Sequence, residues 1–240
     1  RDADRVTWTT CAPSVRTALS GRHGARPGRS HARQAGPHNH PMRLVLASTS
    51  PYRRELLGRL MVPFTTLSPG VDESPLPGER PADLALRLAR AKAAAGAARE
   101  ADAIVIGSDQ VCELDDAAIG KPGSHDAAVA QLRRLSGRAA TFHTAVAVAR
   151  DAGAWLAHEV CAVHVRFRPL GNDAIDRYLR LEQPYDCAGS AKSEALGIAL
   201  LESIDSDDPT ALIGLPLIRT CRLLRAAGFE PLEHARAGHG

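Results

Sequence analysis

Two rhythms of hydrophobic and polar positions alternate along this chain. RLVLA (43–47) and AIVIG (103–107) are uninterrupted apolar runs bounded by polar residues, a pattern that suits buried strands. Elsewhere apolar residues return every three or four positions. That spacing predicts helices over about 51–60, 81–100, 124–137 and 172–182, and a last one over 209–227 with Pro216 inside it and Gly228 after it. Segments 140–149 and 159–167 read as further strands. In the second, Cys161, Val163, Val165 and Phe167 alternate with Val160, Ala162, His164 and Arg166, so one face is buried and the other wetter. Ser50, Ser124 and Asn172 are natural N-caps, and Pro51 and Pro81 suit first helical positions. Strands separated by helices predict an α/β fold around a largely parallel or mixed sheet.

One predicted helix start is charged the wrong way. In ASTSPYRRELL, Arg53 and Arg54 occupy the first turn, where the helix macrodipole is already positive. Two guanidiniums there cost stability unless an anion sits among them. The exposed N–H groups of the first turn, the hydroxyls of Ser48 and Ser50 and a guanidinium fork together describe a phosphate site. Solvated surface arginines are the plainer alternative.

Composition narrows the picture. The chain has 240 residues with 44% hydrophobic and 24% charged residues, ordinary for a globular protein of one large or two small domains. The net charge is +3, but residues 1–41 alone carry seven arginines against two aspartates, and the remainder has slightly more acid than base. Basicity therefore belongs to the leading segment, which weakens the case for a nucleic-acid surface. That segment, ending in RPGRSHARQAGPHNHP, is rich in Arg, His, Gly and Pro without apolar periodicity. It is expected to be a disordered basic extension outside the native fold, with Met42 as the natural start. Residues 42–233 are expected to form the domain and 234–240 a flexible tail. No apolar stretch approaches the roughly 18 to 20 residues that span a bilayer, and the opening residues lack signal-peptide order. The five cysteines are scattered, with no C-x-x-C pair, which favours reduced thiols over disulfides or a zinc site.

Polar residues cluster where the predicted strands end. Asp109, following AIVIG and flanked by Ser108 and Gln110, is the strongest single candidate, able to bind a divalent cation or activate a water. Its plainer role is to cap a turn. Asp72 and Glu73, in GVDESP, could complete a carboxylate pair, with a solvated turn as the plainer alternative. Lys92 lies one and two turns beyond Leu88 and Leu84, so it either snorkels to solvent or delivers its ammonium into a cleft. Lys121, in GKP, is held extended by Pro122. Cations for phosphate together with carboxylates for Mg²⁺ form the combination that a triphosphate-cleaving site requires.

The pieces LVLASTSPYRRELL, VDESP, RLARAKA, VIGSDQV, GKP, TFHTAVAV and CAGSAKSEALGIAL with GLPL follow one another in order. From about Met42 to Leu232 this resembles the Maf family of nucleotide pyrophosphatases. The resemblance implies an elongated mixed sheet flanked by helices, with two lobes around a deep cleft. It also implies a cytoplasmic, Mg²⁺- or Mn²⁺-dependent hydrolase, often a homodimer, acting on nucleoside triphosphates between the α and β phosphates, with no nucleic acid or membrane partner. Carried over by motif, Asp109 is the proton acceptor and, with Glu73, the metal ligand. Ser48, Ser50 and Arg53 form the phosphate-binding loop, and Glu73, Lys92 and Lys121 are the other polar members of the catalytic cleft.

Tyr52, Gln110 and Glu194 stand at the positions that separate the branches of that family, and they resemble the 7-methyl-GTP pyrophosphatases rather than the dTTP/UTP branch. The chemistry agrees. One carboxylate can accept both N1–H and N2–H of guanine, and an aromatic face suits a base made cationic by N7 methylation. Tryptophan is the usual residue where Tyr52 stands. The expected role is removal of modified nucleotides from the pool. The alternatives are dTTP/UTP hydrolysis and a nucleotide-binding regulator of cell division in which catalysis is incidental.

Overall fold

The computed structural model describes residues 42–236. The expectations for residues 1–41 fall outside them. Elements follow in the order β1 (Arg43–Ala47), α1 (Pro51–Gly58), β2 (Thr65–Leu67), α2 (Pro81–Arg99), β3 (Ala103–Leu114), β4 (Ala117–Ile119), α3 (His125–Leu135), β5 (Ala139–Arg150), β6 (Trp155–Phe167), α4 (Asn172–Glu182), β7 (Leu201–Asp205), α5 (Leu217–Ala226) and α6 (Pro231–His234).

The seven strands form one mixed sheet in the order β2-β1-β3-β5-β6-β7, with β4 pairing β3 off that path. β2, β1 and β3 run parallel, while the pairs β3–β5, β5–β6 and β6–β7 are antiparallel. Parallel strands need crossovers, and α1 and α2 lie in the connections that supply them. The antiparallel strands instead form the long β5–β6 hairpin. Leu56 and Leu57 of α1 and Leu223 and Leu224 of α5 pack against Leu44, Leu46, Ile104 and Ile106. On the other side, Ala85, Ala89, Ala93 and Ala97, one α2 turn apart, meet Val45, Val105, Ala145 and Ala147. Helices α3 and α4 cover the far end of the long strands through Leu132, Leu135, Ile175 and Leu179.

Alanines at i, i+4 spacing let α2 lie close on the sheet, and Gly107 sets how close. A Cβ there would come 2.4 Å from the carbonyl oxygen of Ala89 and from the amide nitrogen of Ala93. The helix backbone thus rests directly on β3, one turn from Lys92.

Several expectations change. AIVIG is only the beginning of a twelve-residue strand, so Asp109 lies inside β3 rather than after it. The periodicity stays legible past Gly107 once Val111 and Leu114 are counted as buried, but three polar residues interrupt it. Asn172 is the first residue of α4, behind Gly171 at the N-cap. The single helix expected over 209–227 is broken. A 3₁₀ turn spans Ala211–Ile213, and α5 begins at Leu217 with Pro216 as its N-cap, because proline cannot continue the backbone ladder of a helix interior. β7 (LESID) carries no strong alternation and is not among the strands that the sequence pattern predicts. Ordered contacts also pass the boundary expected at 233: His234 stacks on Phe229 at 4.1 Å, and the Arg236 amide donates to the Met61 carbonyl.

Candidate active site

The edge of β3 that faces β1 is interrupted. β1 pairs along it only to Ile106, and β4 takes it up again at Cys112. Residues 107–111 therefore lie beside a gap in the sheet, at the carboxyl end of β1, where ligands bind in open α/β sheets. Side chains from both faces meet in that gap. The loop after β1, the loop after β4 and the segment 68–75 close around it as a cavity of about 540 Å³, lined among others by Ser48, Ser50, Arg53, Glu73, Lys92, Asp109, Gln110 and Lys121.

Asp109 is 8% exposed and Lys92 4%. Lys92 Nζ donates to Asp109 Oδ1 at 2.7 Å and lies 2.6 Å from Glu73 Oε1, so one ammonium bridges the two carboxylates. Lys92 continues the Leu84, Leu88 line of α2. The close seating of that helix at Gly107 carries the ammonium to Asp109 instead of to solvent.

Arg53 enters from the opposite face. Ser50 caps α1 by accepting from the Arg53 amide, and Pro51 opens the helix; no acidic residue offsets the dipole in its first turn. Of the two arginines, Arg54 faces solvent and Arg53 turns inward, donating from Nε to the Gly214 carbonyl (2.9 Å) and placing NH2 4.0 Å from Asp109 Oδ1. Burial pulls the Arg53 guanidinium below its ordinary value, opposed by the charges of Asp109 and Glu73. Ser48 is buried, and its hydroxyl accepts from the Ser50 amide at 3.1 Å, which shapes the loop after β1.

Glu73 sits on a loop, half open to solvent. Burial raises its carboxyl, but the Lys92 hydrogen bond and the charges of Lys92, Lys121 and Arg53 outweigh that and hold it below the usual range. The loop is clipped to α2, since Arg87 donates to Glu79 at 2.6 and 2.9 Å and to the Ser74 carbonyl at 2.9 Å. That hydrogen bonding holds Glu79 down to about 2. Asp72, the alternative acid, faces solvent and accepts from the Ser74 amide, so it shapes a turn. Lys121 is exposed and makes no ion pair among the described residues.

A second cavity of about 210 Å³ shares Ser50, Arg53, Gln110 and Lys121 with the first. Tyr52, Asp186, Cys187 and Glu194 also line it. Tyr52 and Glu194 are thus brought together with Gln110 by parts of the chain more than 130 residues apart, as the Tyr52–Asp186 contact shows. The Tyr52 hydroxyl donates to Asp186 Oδ2 at 3.2 Å; burial, then Cys187 and Asp186, push that phenol well above its ordinary value. The Lys192 ammonium lies 6.0 Å from the centre of the Tyr52 ring, a cation–π separation, with Glu182 3.6 Å away as its counter-charge.

Asp186, Thr144 and the loop 208–214 were missed as site members. Asp186 immediately precedes CAGSAKSEALGIAL, the motif that carries Glu194, which pointed to the neighbourhood but not to the residue. Thr144 is an unremarkable strand position in the sequence. Pro209, Gly214 and Pro216 were the available signal that 208–216 is a shaped loop.

Among the described residues no group of three His, Cys, Asp or Glu side chains is placed to hold a metal ion. Asp109 and Glu73 do suit a hard cation such as Mg²⁺, which takes one or two carboxylates and completes its shell with phosphate oxygens and water. No helix among the described residues is long and apolar enough to cross a membrane.

The chain is similar to known proteins. The family model described as Maf-like protein matches residues 43–227. Three similar proteins bear the name 7-methyl-GTP pyrophosphatase. One from Polaromonas sp. is 62% identical over 185 residues, covering 77% of this chain and 84% of its own. One from Albidiferax ferrireducens is 58% identical, with 79% and 96% covered. One from Bordetella pertussis is 59% identical, with 80% and 96% covered. The match runs from the first residue of β1 to the end of α5 and so takes in both cavities and every element that lines them: the chain belongs to the Maf family.

Proposed function

We propose that this protein is a cytoplasmic nucleotide pyrophosphatase that hydrolyses 7-methyl-GTP between its α and β phosphates, giving 7-methyl-GMP and diphosphate. The observation that carries this reading is the buried Asp109–Lys92 pair, bridged to the half-open Glu73 and facing Arg53 in one cavity, joined to a second cavity with two carboxylates. The names of the relatives point to the same substrate.

Triphosphate oxygens enter beside Arg53 and Lys121, which supply the anion site whose absence makes the start of α1 electrostatically unfavourable. Asp109 takes the proton of a water aligned on the α phosphorus. Lys92 keeps Asp109 and Glu73 at a fixed separation. Arg53 and Lys121 offset charge that accumulates on the phosphate oxygens as the α–β bond lengthens, and diphosphate leaves against them. Asp109 and Glu73 would hold a divalent cation, which would supply further charge neutralisation. In the smaller cavity Glu194 accepts from the guanine edge, while Tyr52 and Asp186 offer an aromatic face and a negative charge to the methylated, cationic ring.

Diphosphate release from 7-methyl-GTP, GTP, dTTP and UTP, with Mg²⁺ and with Mn²⁺, tests the proposal. The expected order has 7-methyl-GTP first. Faster turnover of dTTP or UTP rejects the substrate, and no turnover of any of the four rejects the enzyme.

A further inference from the structure

Gln110 carries an amide that can offer a ligand either two hydrogens or an oxygen, and which of the two it offers decides what base it accepts. The surroundings settle the choice. Nε2 lies 2.9 Å from Thr144 Oγ1, 3.0 Å from the Ala211 carbonyl and 2.9 Å from the Leu212 carbonyl. Neither carbonyl can donate, and the Thr144 hydroxyl spends its proton on Ala211 O at 2.9 Å. A reversed amide would set Oε1 against three oxygens. Oε1 itself has no hydrogen-bond partner among the described residues and is not sealed from solvent, while Gln110 lines both cavities.

The three acceptors are rigid. Thr144 is fully buried in β5. Asp208, also fully buried, accepts at Oδ2 from the Ile218 and Arg219 amides at 2.9 and 3.2 Å, which caps α5 in place of the N-cap residue Pro216. The Thr210 hydroxyl donates to the Leu215 carbonyl and accepts from the Leu217 amide, each at 2.8 Å, so the loop 208–217 is closed on itself. Gly214, at its end, also accepts from Arg53 and from the buried Ser108 hydroxyl.

We propose that Thr144 and the Asp208-anchored loop are positioning residues that lock Gln110 as a hydrogen-bond acceptor toward the nucleobase. With Glu194 and Asp186, the locked Gln110 surrounds the base with oxygens; Arg53 and Lys121, the cations of the smaller cavity, also line the larger one. Guanine brings N1–H and N2–H donors to such a surface. Uracil and thymine bring one N3–H between two carbonyl oxygens, which would oppose it. This deepens the proposed function, on which it rests, by naming what excludes pyrimidines.

The test is the ratio of kcat/KM for GTP over UTP, measured alongside 7-methyl-GTP, in Thr144→Val, Thr144→Ser and Gln110→Met. Valine keeps the shape and removes the hydroxyl. The ratio should fall about tenfold, the worth of one hydrogen bond, as Gln110 is freed to turn. Thr144→Ser should keep the wild-type ratio. Gln110→Met should lower it as much, and the double variant no further. A ratio within twofold of wild type in Gln110→Met, or equal losses in the Ser and Val variants, overturns the proposal. Gln110→Met decides alone if Thr144→Val does not fold. Wild-type preference for UTP would instead refute the substrate reading, while the shift between variants still reports on the lock.

Discussion

The two cavities touch, yet they are built differently. The end proposed for the phosphates has its buried groups on regular structure: Asp109 within β3, Lys92 within α2 and Arg53 within the first turn of α1, already hydrogen-bonded or ion-paired to one another or to backbone. The end proposed for the base adds loops to the Tyr52 and Gln110 that α1 and β3 supply. Asp186 and Glu194 belong to the connection after α4, and Glu194 is exposed. Charge developing in the transition state needs groups that do not move, and strands and helices supply them. A base needs recognition along one edge, which loop residues can vary without disturbing the sheet.

Variants at the rigid end should therefore cost rate on every nucleotide, and those at the loop end should cost selectivity. The largest effect is expected from Asp109→Ala, about a thousandfold or more in kcat on GTP and UTP alike, within the range for loss of a general base; near-normal turnover would remove it from the mechanism. Lys92→Met leaves Asp109 without its closest counter-charge in a buried site. Denaturant unfolding should show a loss of about 3 kcal/mol along with activity. Gly107→Ala would drive a methyl into the α2 backbone, costing about 2 kcal/mol by overpacking. Because α2 must shift away from Asp109, its activity should fall further than its fraction folded, and proportional losses would show that seating does not matter.

Glu194→Gln tests the other side of the contrast. It should lower kcat/KM on 7-methyl-GTP by about ten- to a hundredfold, the value of a charge-assisted hydrogen bond, and leave UTP nearly unchanged. Equal losses on both would deny base reading by Glu194. The smallest effect concerns acid. The Glu73 carboxyl is held below its unfolded value, so its pairing stabilises the fold above the ordinary carboxylate range and is lost as pH falls through the lower folded value. Melting curves of wild type and Glu73→Gln should differ at neutral pH and converge below about pH 4; a gap that persists in acid would contradict the Lys92–Glu73 pair.

Much of this was readable from the chain. Apolar runs marked β1 and the start of β3, and Ser50-Pro51 marked the start of α1, because strand burial and helix capping are local matters of pattern. The uncompensated Arg53 was also readable, since a cation at a helix start is unfavourable whatever lies around it. The length of β3 was not, because Ser108, Asp109 and Gln110 look like a loop until β5 pairs with them and α2 covers Asp109. Nor was the fate of residues 208–216, whose apolar content resembles a helix.

Amino-acid order alone determined which groups this protein has to work with: an uncompensated guanidinium at a helix start, an aspartate soon after an apolar run, and a lysine in line with two leucines. Only the tertiary structure decided that they share one ammonium-bridged site at a gap in the sheet, and which end of the Gln110 amide is tied to Thr144 and the 211–212 carbonyls. The reason is that both outcomes depend on partners about 20 to 100 residues away, Lys92 for Asp109 and the 211–212 carbonyls for Gln110, and no local propensity reports on a contact of that range.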